Sequence, residues 1–303
     1  MAARAISDLH TSTRNMTQIR ITHKTEYTFA APVAFGPHRM MLRPRETREL
    51  KLLSFDLTVS PAANVTWSHD VAGNSIATAT VAEMSDHLMI ESALTLTLSA
   101  PRWPVFDIAA SALNYPFHYS NEDWTDLNAL ARPQYVDMTG RLACWVEQFV
   151  MQRPTDTLSL LKDISNGISA QIAYQCREDQ GTQGPLDTLD MGRGSCRDFA
   201  VLFAEAIRTL GFGARIVSGY LFDPARNLVG SAGQGSTHAW TEVFIPGAGW
   251  ISFDPTNRSV GSANLIPVAA ARNIEQVAPV TGSFRAQQTV LPRMDVTITV
   301  AEV

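Results

Sequence analysis

The sequence has few cysteines and no concentration of positive charge. Its three cysteines, Cys144, Cys176 and Cys196, are too few for a disulfide framework and show no C-x-x-C spacing, so they predict a reducing, cytoplasmic setting. Lysine and arginine number 24 against 29 aspartates and glutamates, the net charge is -5, and no basic run occurs. This excludes the electrostatic signature of nucleic-acid or anionic-membrane binding.

Long apolar runs are also missing. No stretch approaches the roughly 18 apolar residues of a membrane span, and none resembles the apolar core of a secretory signal. His23, His69 and His87 lack partners at ligand spacing, so neither a metal nor another cofactor is predicted. A chain of 303 residues, 45 % apolar and 17 % charged, is typical of a globular protein with two domains.

The first hundred residues predict β-strands, because apolar side chains recur at every second position. Asp70, Gly73 and Asn74 mark a turn between strands. We predict an all-β, sandwich-like domain over 17–100, preceded by a flexible extension over 1–16 in which Met1 and Met16 both remain open as the start. The alternating sets are Ile19, Ile21, Tyr27 and Phe29; Leu53, Phe55, Leu57 and Val59; and Leu94, Leu96 and Leu98.

The pattern changes after residue 100. The segment 101–135 has prolines and tryptophans without a steady period, and is predicted to link the two domains and pack between them. A second domain is predicted over 136–268 and a strand-containing tail over 269–303. Thr155 or Asp156 is a suitable helix cap. The apolar face of the helix that follows comprises Leu158, Leu161, Ile164, Ile168 and Ile172.

Cys196 lies at the start of a second predicted helix. Ser195 as N-cap and Asp198 three residues later match a capping box, and Gly211 closes the helix. In the first turn of a helix, unpaired amides and the helix dipole stabilise a thiolate and can hold an oxyanion. Cys196 is therefore a candidate nucleophile. The apolar stripe of this helix comprises Phe199, Ala200, Phe203, Ala206, Ile207 and Leu210.

His238 and Asp254 fall on two strands of a predicted hairpin. If Phe244 opposes Trp250, then Trp240 opposes Asp254, and His238 points to the same face as Asp254. A carboxylate beside an imidazole fixes its tautomer and supports the imidazolium that forms. The order cysteine, histidine, aspartate thus predicts a catalytic triad.

Each candidate also has a purely structural interpretation. A cysteine such as Cys196 is often a small buried hydrophobe, and Cys144, within an apolar helical run, is predicted to be one. Cys176 is interpreted as a loop thiol. Trp240 fits a wall of the substrate cleft and a core position equally well.

At these residues the sequence resembles the bacterial cysteine-peptidase branch of the transglutaminase-like superfamily. The tail segment Arg272–Phe284 fits the same branch. The resemblance implies an α+β protein in which an N-terminal β-rich domain precedes a papain-like core, with a helix packed on an antiparallel sheet. The core motifs are GSCRDFA (194–200), GFGARIVSGY (211–220), THAWTEV (237–243) and WISFDPT (250–256), and the N-terminal motifs are ITHKTEY (21–27), LRPR (42–45) and DVAGN (70–74).

The resemblance implies an enzyme that attacks amide bonds of a peptide or protein substrate through a thioester on Cys196. Animal transglutaminases have Gln and Trp beside the nucleophile, whereas this chain has Ser195 and Arg197, so glutamine crosslinking is not implied. Water and a primary amine both remain open as acyl acceptor, and the oligomeric state is also open. The alternative is a non-catalytic binding or scaffold protein on the same fold. Candidates for a second oxyanion donor are Tyr174, Gln171 and Gln175.

Overall fold

The computed structural model describes residues 16–176, 181–223, 225, 237–286 and 291–303. The predicted N-terminal extension lies outside these residues except for Met16. The protein is an α+β structure with a β-rich N-terminal region and a papain-like core, as the sequence predicts. Within the described ranges, no helix is both long enough and apolar enough to cross a membrane.

The N-terminal region is built from six strands and closes with strands from the end of the chain. The first six are β1 (Thr17–Phe35), β2 (His38–Met40), β3 (Leu50–Ser60), β4 (Ala63–His69), β5 (Ser75–Val81) and β6 (Ser85–Leu98).

The second region contains five helices and nine strands among the described residues. The helices are α1 (Asn121–Leu127), α2 (Arg141–Glu147), α3 (Thr157–Gln171), α4 (Pro185–Met191) and α5 (Cys196–Thr209). The strands are β7 (Asn114–Tyr115), β8 (Thr155–Asp156), β9 (Ala173–Tyr174), β10 (Arg193–Gly194), β11 (Ala214–Leu221), β12 (Thr237–Ile245), β13 (Gly249–Asp254), β14 (Ser259–Val260) and β15 (Leu265–Ala271).

The tail returns to the N-terminal region. Its strands are β16 (Val280–Thr281), β17 (Phe284–Arg285) and β18 (Arg293–Glu302). One sheet has the order β17-β1-β6-β3, with β18 also paired to β1, and the other has the order β16-β2-β5-β4. Strands from the beginning and from the end of the chain thus pair within the same two sheets.

A β-bulge corrects the parity predicted for β3. The register of β3 against β6 shifts between Leu52 and Ser54, so Leu50 and Leu52 face inward and Leu53 is 56 % exposed. The extra residue of a bulge moves the following side chains to the other face of the strand. Phe55, Leu57 and Val59 then regain the inward face and pack on the sandwich core.

Helix α5 is the centre of the second region. It packs on a five-stranded antiparallel sheet of order β14-β13-β12-β11-β15, and α2, α3 and α4 cover its other sides. Every residue from Asp198 to Arg208 is buried. The one-sided apolar stripe predicted from the sequence is therefore only part of the buried surface, since helices cover the face that would otherwise meet solvent.

The N-terminal motifs meet the five-stranded sheet of the second region at β15. The side chain of Asn74, fully buried, accepts a hydrogen bond from Ala270 N at 2.8 Å and donates one to Ala270 O at 2.9 Å, as a neighbouring strand would. Arg45 Nη1 donates to Asn74 Oδ1 at 2.6 Å, and Arg45 N donates to Pro267 O at 2.8 Å. The two N-terminal motifs thus hold the edge of the sheet that carries the site.

A buried histidine links the two regions and predicts acid sensitivity. His23 on β1 is 3 % exposed, its Nδ1 lies 3.0 Å from Tyr220 Oη on β11, and burial lowers its pKa to about 4. Between pH 6.5 and 4, His23 is therefore protonated in the unfolded chain but neutral in the folded protein. The free energy of unfolding falls as the pH drops through this range. We expect a loss of up to about 3 kcal/mol across this range in urea unfolding.

His23→Gln should flatten that pH dependence, whereas replacing the exposed His118 by Gln should leave it unchanged. If the free energy of unfolding fell equally with pH in the native protein and in His23→Gln, the assignment of the acid sensitivity to His23 would be contradicted.

Candidate active site

Cys196 is the first residue of α5, and the local hydrogen bonds explain why the helix begins there. Asp198 Oδ2 accepts from both Ser195 N and Ser195 Oγ at 2.8 Å, and Asp198 Oδ1 accepts from Gln183 N at 2.8 Å. The backbone N–H of a residue at this position has no acceptor in a preceding turn. Cys196 is partly exposed, so the helix start fixes its position without burying the residue completely.

The β12–β13 hairpin has the predicted register. Phe244 pairs with Trp250 and Thr241 with Phe253, which brings His238 and Asp254 to one face. His238 Nε2 lies 2.8 Å from Asp254 Oδ2, and the two residues are 2 % and 1 % exposed. The other ring nitrogen, Nδ1, is buried and has no well-formed hydrogen bond within the described part of the chain. This nitrogen is therefore available to interact with the thiol of Cys196.

The turn after β13 holds the carboxylate of Asp254. Its Oδ1 accepts from Thr256 N at 3.0 Å and Asn257 N at 3.3 Å, and its Oδ2 also accepts from Asn257 Nδ2 at 2.8 Å. Sequence reasoning missed Asn257. The signal was present, because an aspartate before a proline commonly accepts hydrogen bonds from the backbone of the turn that follows, here Pro255, Thr256 and Asn257.

A buried contact sets the position of the hairpin against the helix. Thr241 Oγ1 on β12 donates to Ala200 O in the second turn of α5 at 2.8 Å. On the other side of β12, Gly219 pairs with His238, and an added Cβ there would lie 2.0 Å from Ile266 O. These contacts determine where the imidazole lies relative to the thiol.

The three side chains form a charged unit. Burial disfavours charge on His238, but Asp254 and Cys196 outweigh burial and raise the pKa of the imidazole to about 10. Burial would raise the pKa of Cys196, but its interaction with His238 outweighs this effect and lowers it. The pKa of Asp254 is lowered in the same way, against burial, by His238 and then Asn257. Both shifts act in the direction of a thiolate beside an imidazolium.

Cys196 and His238 open into a cleft of about 410 Å³. One wall comes from the tail, through Ile274, Val277 and Pro279. Ser218 Oγ on β11 donates to Val277 O at 2.6 Å and fixes this wall to the five-stranded sheet. The tail thus completes the cleft before it enters the N-terminal sheets.

Trp240 does not line this cleft. It is fully buried among Val217, Leu221, Leu265 and Ala270, and its ring stacks on that of His238 with centroids 6.2 Å apart. Of the two interpretations of Trp240, the core position agrees with the structure. From this position the indole packs against the imidazole of His238.

The candidates for a second oxyanion donor separate in space. Tyr174 pairs with Gly194 in the parallel β9–β10 ladder, and burial, followed by the charge of Cys196, raises the pKa of its hydroxyl, which stays protonated near the thiol. Gln171 is directed elsewhere, because its Oε1 accepts from Trp145 Nε1 at 2.8 Å at an exposed site. The exposed Gln175 contributes its backbone N–H to Gly194 O. Tyr174 and Gln175 therefore both stay predicted donors.

The prediction of a buried Cys144 is wrong. Leu142 and Val146 face the core from α2, and Cys144 lies midway between them on the opposite face, where it is exposed. Successive helical residues turn by about 100°, so a residue two positions from each buried neighbour points away from both. Cys176 is exposed, in keeping with a loop thiol.

Comparison with known proteins places this site in a family. Residues 19–97 match the family described as the bacterial transglutaminase-like N-terminal region, and residues 145–255 match the transglutaminase-like superfamily core. The chain belongs to the transglutaminase-like superfamily. The matched core contains Cys196, His238 and Asp254, and the matched N-terminal region contains Asn74 and Arg45.

One relative of this transglutaminase-like chain matches most of its length, and another matches a quarter of it. An uncharacterized protein of Mycobacterium tuberculosis strain H37Rv is 29 % identical over 277 residues, which cover 87 % of this chain and 86 % of the relative. A protein-glutamine gamma-glutamyltransferase of Pseudomonas aeruginosa is 39 % identical over 80 residues, 25 % of this chain and 12 % of that protein.

A solved structure shows the same fold. A candidate cysteine protease from Cytophaga hutchinsonii superposes with a TM-score of 0.72 at 18 % identity, covering 95 % of this chain and 91 % of the other. The likeness extends over both regions, so the β-rich region and the transglutaminase-like core occur together in that protein as well.

Proposed function

We propose that this protein is a cysteine-nucleophile acyl-transfer enzyme that acts on amide bonds of peptides or proteins. The observation that carries the proposal is the arrangement of a partly exposed Cys196 at a helix start beside His238, whose other nitrogen lies 2.8 Å from Asp254. Its relatives support the same chemistry, since they include a candidate cysteine protease and a glutamyltransferase.

The first half-reaction forms a thioester. The Cys196 thiolate attacks the carbonyl carbon of the amide, and the carbonyl oxygen becomes an oxyanion beside the first backbone N–H of α5 and the Tyr174 hydroxyl. The tetrahedral intermediate collapses as His238 gives its proton to the leaving amine, and the carbon–nitrogen bond breaks. Asp254 keeps the imidazole oriented throughout.

The second half-reaction releases the acyl group. His238, now neutral, removes a proton from water or a primary amine, which attacks the thioester and regenerates the thiolate. Attack by water makes the enzyme a peptidase or amidase, and attack by an amine makes it a transamidase. We place the protein in the cytoplasm, because a reducing compartment keeps its three cysteines as thiols.

The test is incubation of the protein with a peptide mixture derived from a proteome, with and without a labelled primary amine, followed by mass analysis. New termini indicate cleavage, conversion of glutamine to glutamate indicates amidase activity, and incorporation of label indicates transamidation. Cys196→Ala should remove every product, whereas Cys144→Ala, which changes an exposed thiol, should remove none. Products that survive in Cys196→Ala would contradict the proposal.

A further inference from the structure

A second cavity, of about 450 Å³, lies outside the catalytic cleft and shares no lining residue with it. Its walls come from the linker segment that contains Arg102, from α3 through Lys162, and from the turn that follows Asp254. Of the residues that line it, only Asn257 has a part in the proposed acyl transfer, through its hydrogen bonds to Asp254.

The lining of this cavity has charge of only one sign. Arg102, Lys162 and Arg258 line it, and no aspartate or glutamate does, although the chain as a whole carries a net charge of -5. Among the described residues, neither Arg102 nor Lys162 forms an ion pair. A concave surface lined by one sign of charge focuses the potential and concentrates ions of the opposite sign.

One of the three cations is already fixed in place. Arg258 Nε donates to Ser169 Oγ at 2.7 Å and Arg258 Nη2 donates to Ser169 O at 3.1 Å, which holds the guanidinium against α3. A fixed guanidinium can still offer its remaining donors to an oxyanion at little further cost in side-chain entropy. Arg102 and Lys162 add two further positive charges to the lining.

At the rim of the cavity, the linker segment packs against the turn that follows Asp254. An added Cβ at Gly261 would lie 2.6 Å from Pro104, so this linker proline packs directly on the turn. Trp103 lines the cavity and is 85 % exposed, which gives a ligand an apolar surface beside the charges.

We propose that this cavity binds a small molecule that carries two or more oxyanion groups. Three cations within one cavity suit a multiply charged ligand better than a single carboxylate, and the shared chemistry belongs to oligophosphates and oligocarboxylates alike. Asn257 lines the cavity and donates to Asp254 at 2.8 Å, so the ligand would lie beside the residue that holds the catalytic carboxylate.

The test is isothermal titration of the full chain with tripolyphosphate and, separately, citrate at constant ionic strength. Arg102→Gln combined with Lys162→Gln should weaken binding at least tenfold. The matched control is Arg48→Gln combined with Lys51→Gln, which removes two exposed positive charges from the N-terminal region and should leave the affinity unchanged. Binding should also change the fluorescence of Trp103, and this change should disappear in Trp103→Phe.

The two ligands distinguish the sources of the oxyanion, because preference for tripolyphosphate indicates phosphoryl groups and preference for citrate indicates carboxylates. The same titrations in Cys196→Ala should give the same affinities, so binding is tested whether or not the enzyme has acyl-transfer activity. Absence of binding by both ligands, or equal weakening in the cavity and control variants, would overturn the proposal.

Discussion

Replacing Cys196 by alanine is expected to lower acyl transfer by roughly 10⁴-fold or more, because the thioester cannot form without the nucleophile. His238→Ala should come close to the same loss, since the thiolate then loses the imidazolium that stabilises it and the leaving amine loses its proton donor. The measurement is the initial rate on whichever peptide the proteome mixture identifies, for each variant under the same conditions.

The double variant Cys196→Ala with His238→Ala should be no slower than Cys196→Ala alone, because residues that act as one unit have non-additive effects. His118→Ala is the matched control for the histidine, since His118 is exposed. A Cys196→Ala variant that retains substantial activity would show that another group is the nucleophile.

Glu205→Gln is expected to destabilise the fold by about 3–5 kcal/mol, because it leaves the buried charge of Arg208 without a partner. Both side chains are 1 % exposed, and Arg208 Nη1 lies 2.5 Å from Glu205 Oε1. Glu205 Oε2 also accepts from Gln134 N at 2.7 Å, and Arg208 Nη2 donates to Ala214 O at 2.7 Å. The pair thus joins α5 to the linker and to β11, and urea unfolding would measure its loss.

Glu147→Gln is the matched control for this pair. Glu147 and Arg153 are paired at 2.6 Å but are 49 % and 50 % exposed, so solvent already screens the interaction. Its loss should cost less than about 1 kcal/mol. Similar losses for Glu205→Gln and Glu147→Gln would show that burial of the first pair contributes nothing to stability.

The local parts of the site could be predicted from the sequence. Ser195 and Asp198 mark the start of α5, so the position of Cys196 follows from a helix signal that spans four residues. The hairpin register follows from a short turn and from the pairing of Phe244 with Trp250. Both inferences depend on neighbours in sequence, and the structure confirms both placements.

The parts that depend on distant contacts could not be predicted. Glu205 and Arg208 resemble the polar face of an ordinary helix until the linker and β11 supply partners for their charges. The error at Cys144 has a local cause instead, because its angular position on α2 is opposite to those of the buried Leu142 and Val146. The return of β16, β17 and β18 to the N-terminal sheets has no local signal at all.

Between the lowered pKa of Cys196 and the raised pKa of His238, near 10, the active site should hold a thiolate and an imidazolium. The thiolate is lost as the pH falls through the pKa of Cys196, and the imidazolium is lost as the pH rises through that of His238. An ordinary thiol titrates near a pH of about 8.5. Alkylation of Cys196 at a pH well below this value is therefore the result expected if Cys196 and His238 form an ion pair.

The most direct measurement is the rate at which iodoacetamide alkylates each cysteine as a function of pH, read by peptide mass in the native protein and in His238→Ala. Cys144 and Cys176, which are both exposed, serve as internal references. We predict that Cys196 reaches half its maximal rate well below the pH at which an ordinary thiol does, and that His238→Ala removes this advantage. A Cys196 that reacts like the other two cysteines, or that is unaffected by His238→Ala, would contradict the account and favour a non-catalytic scaffold.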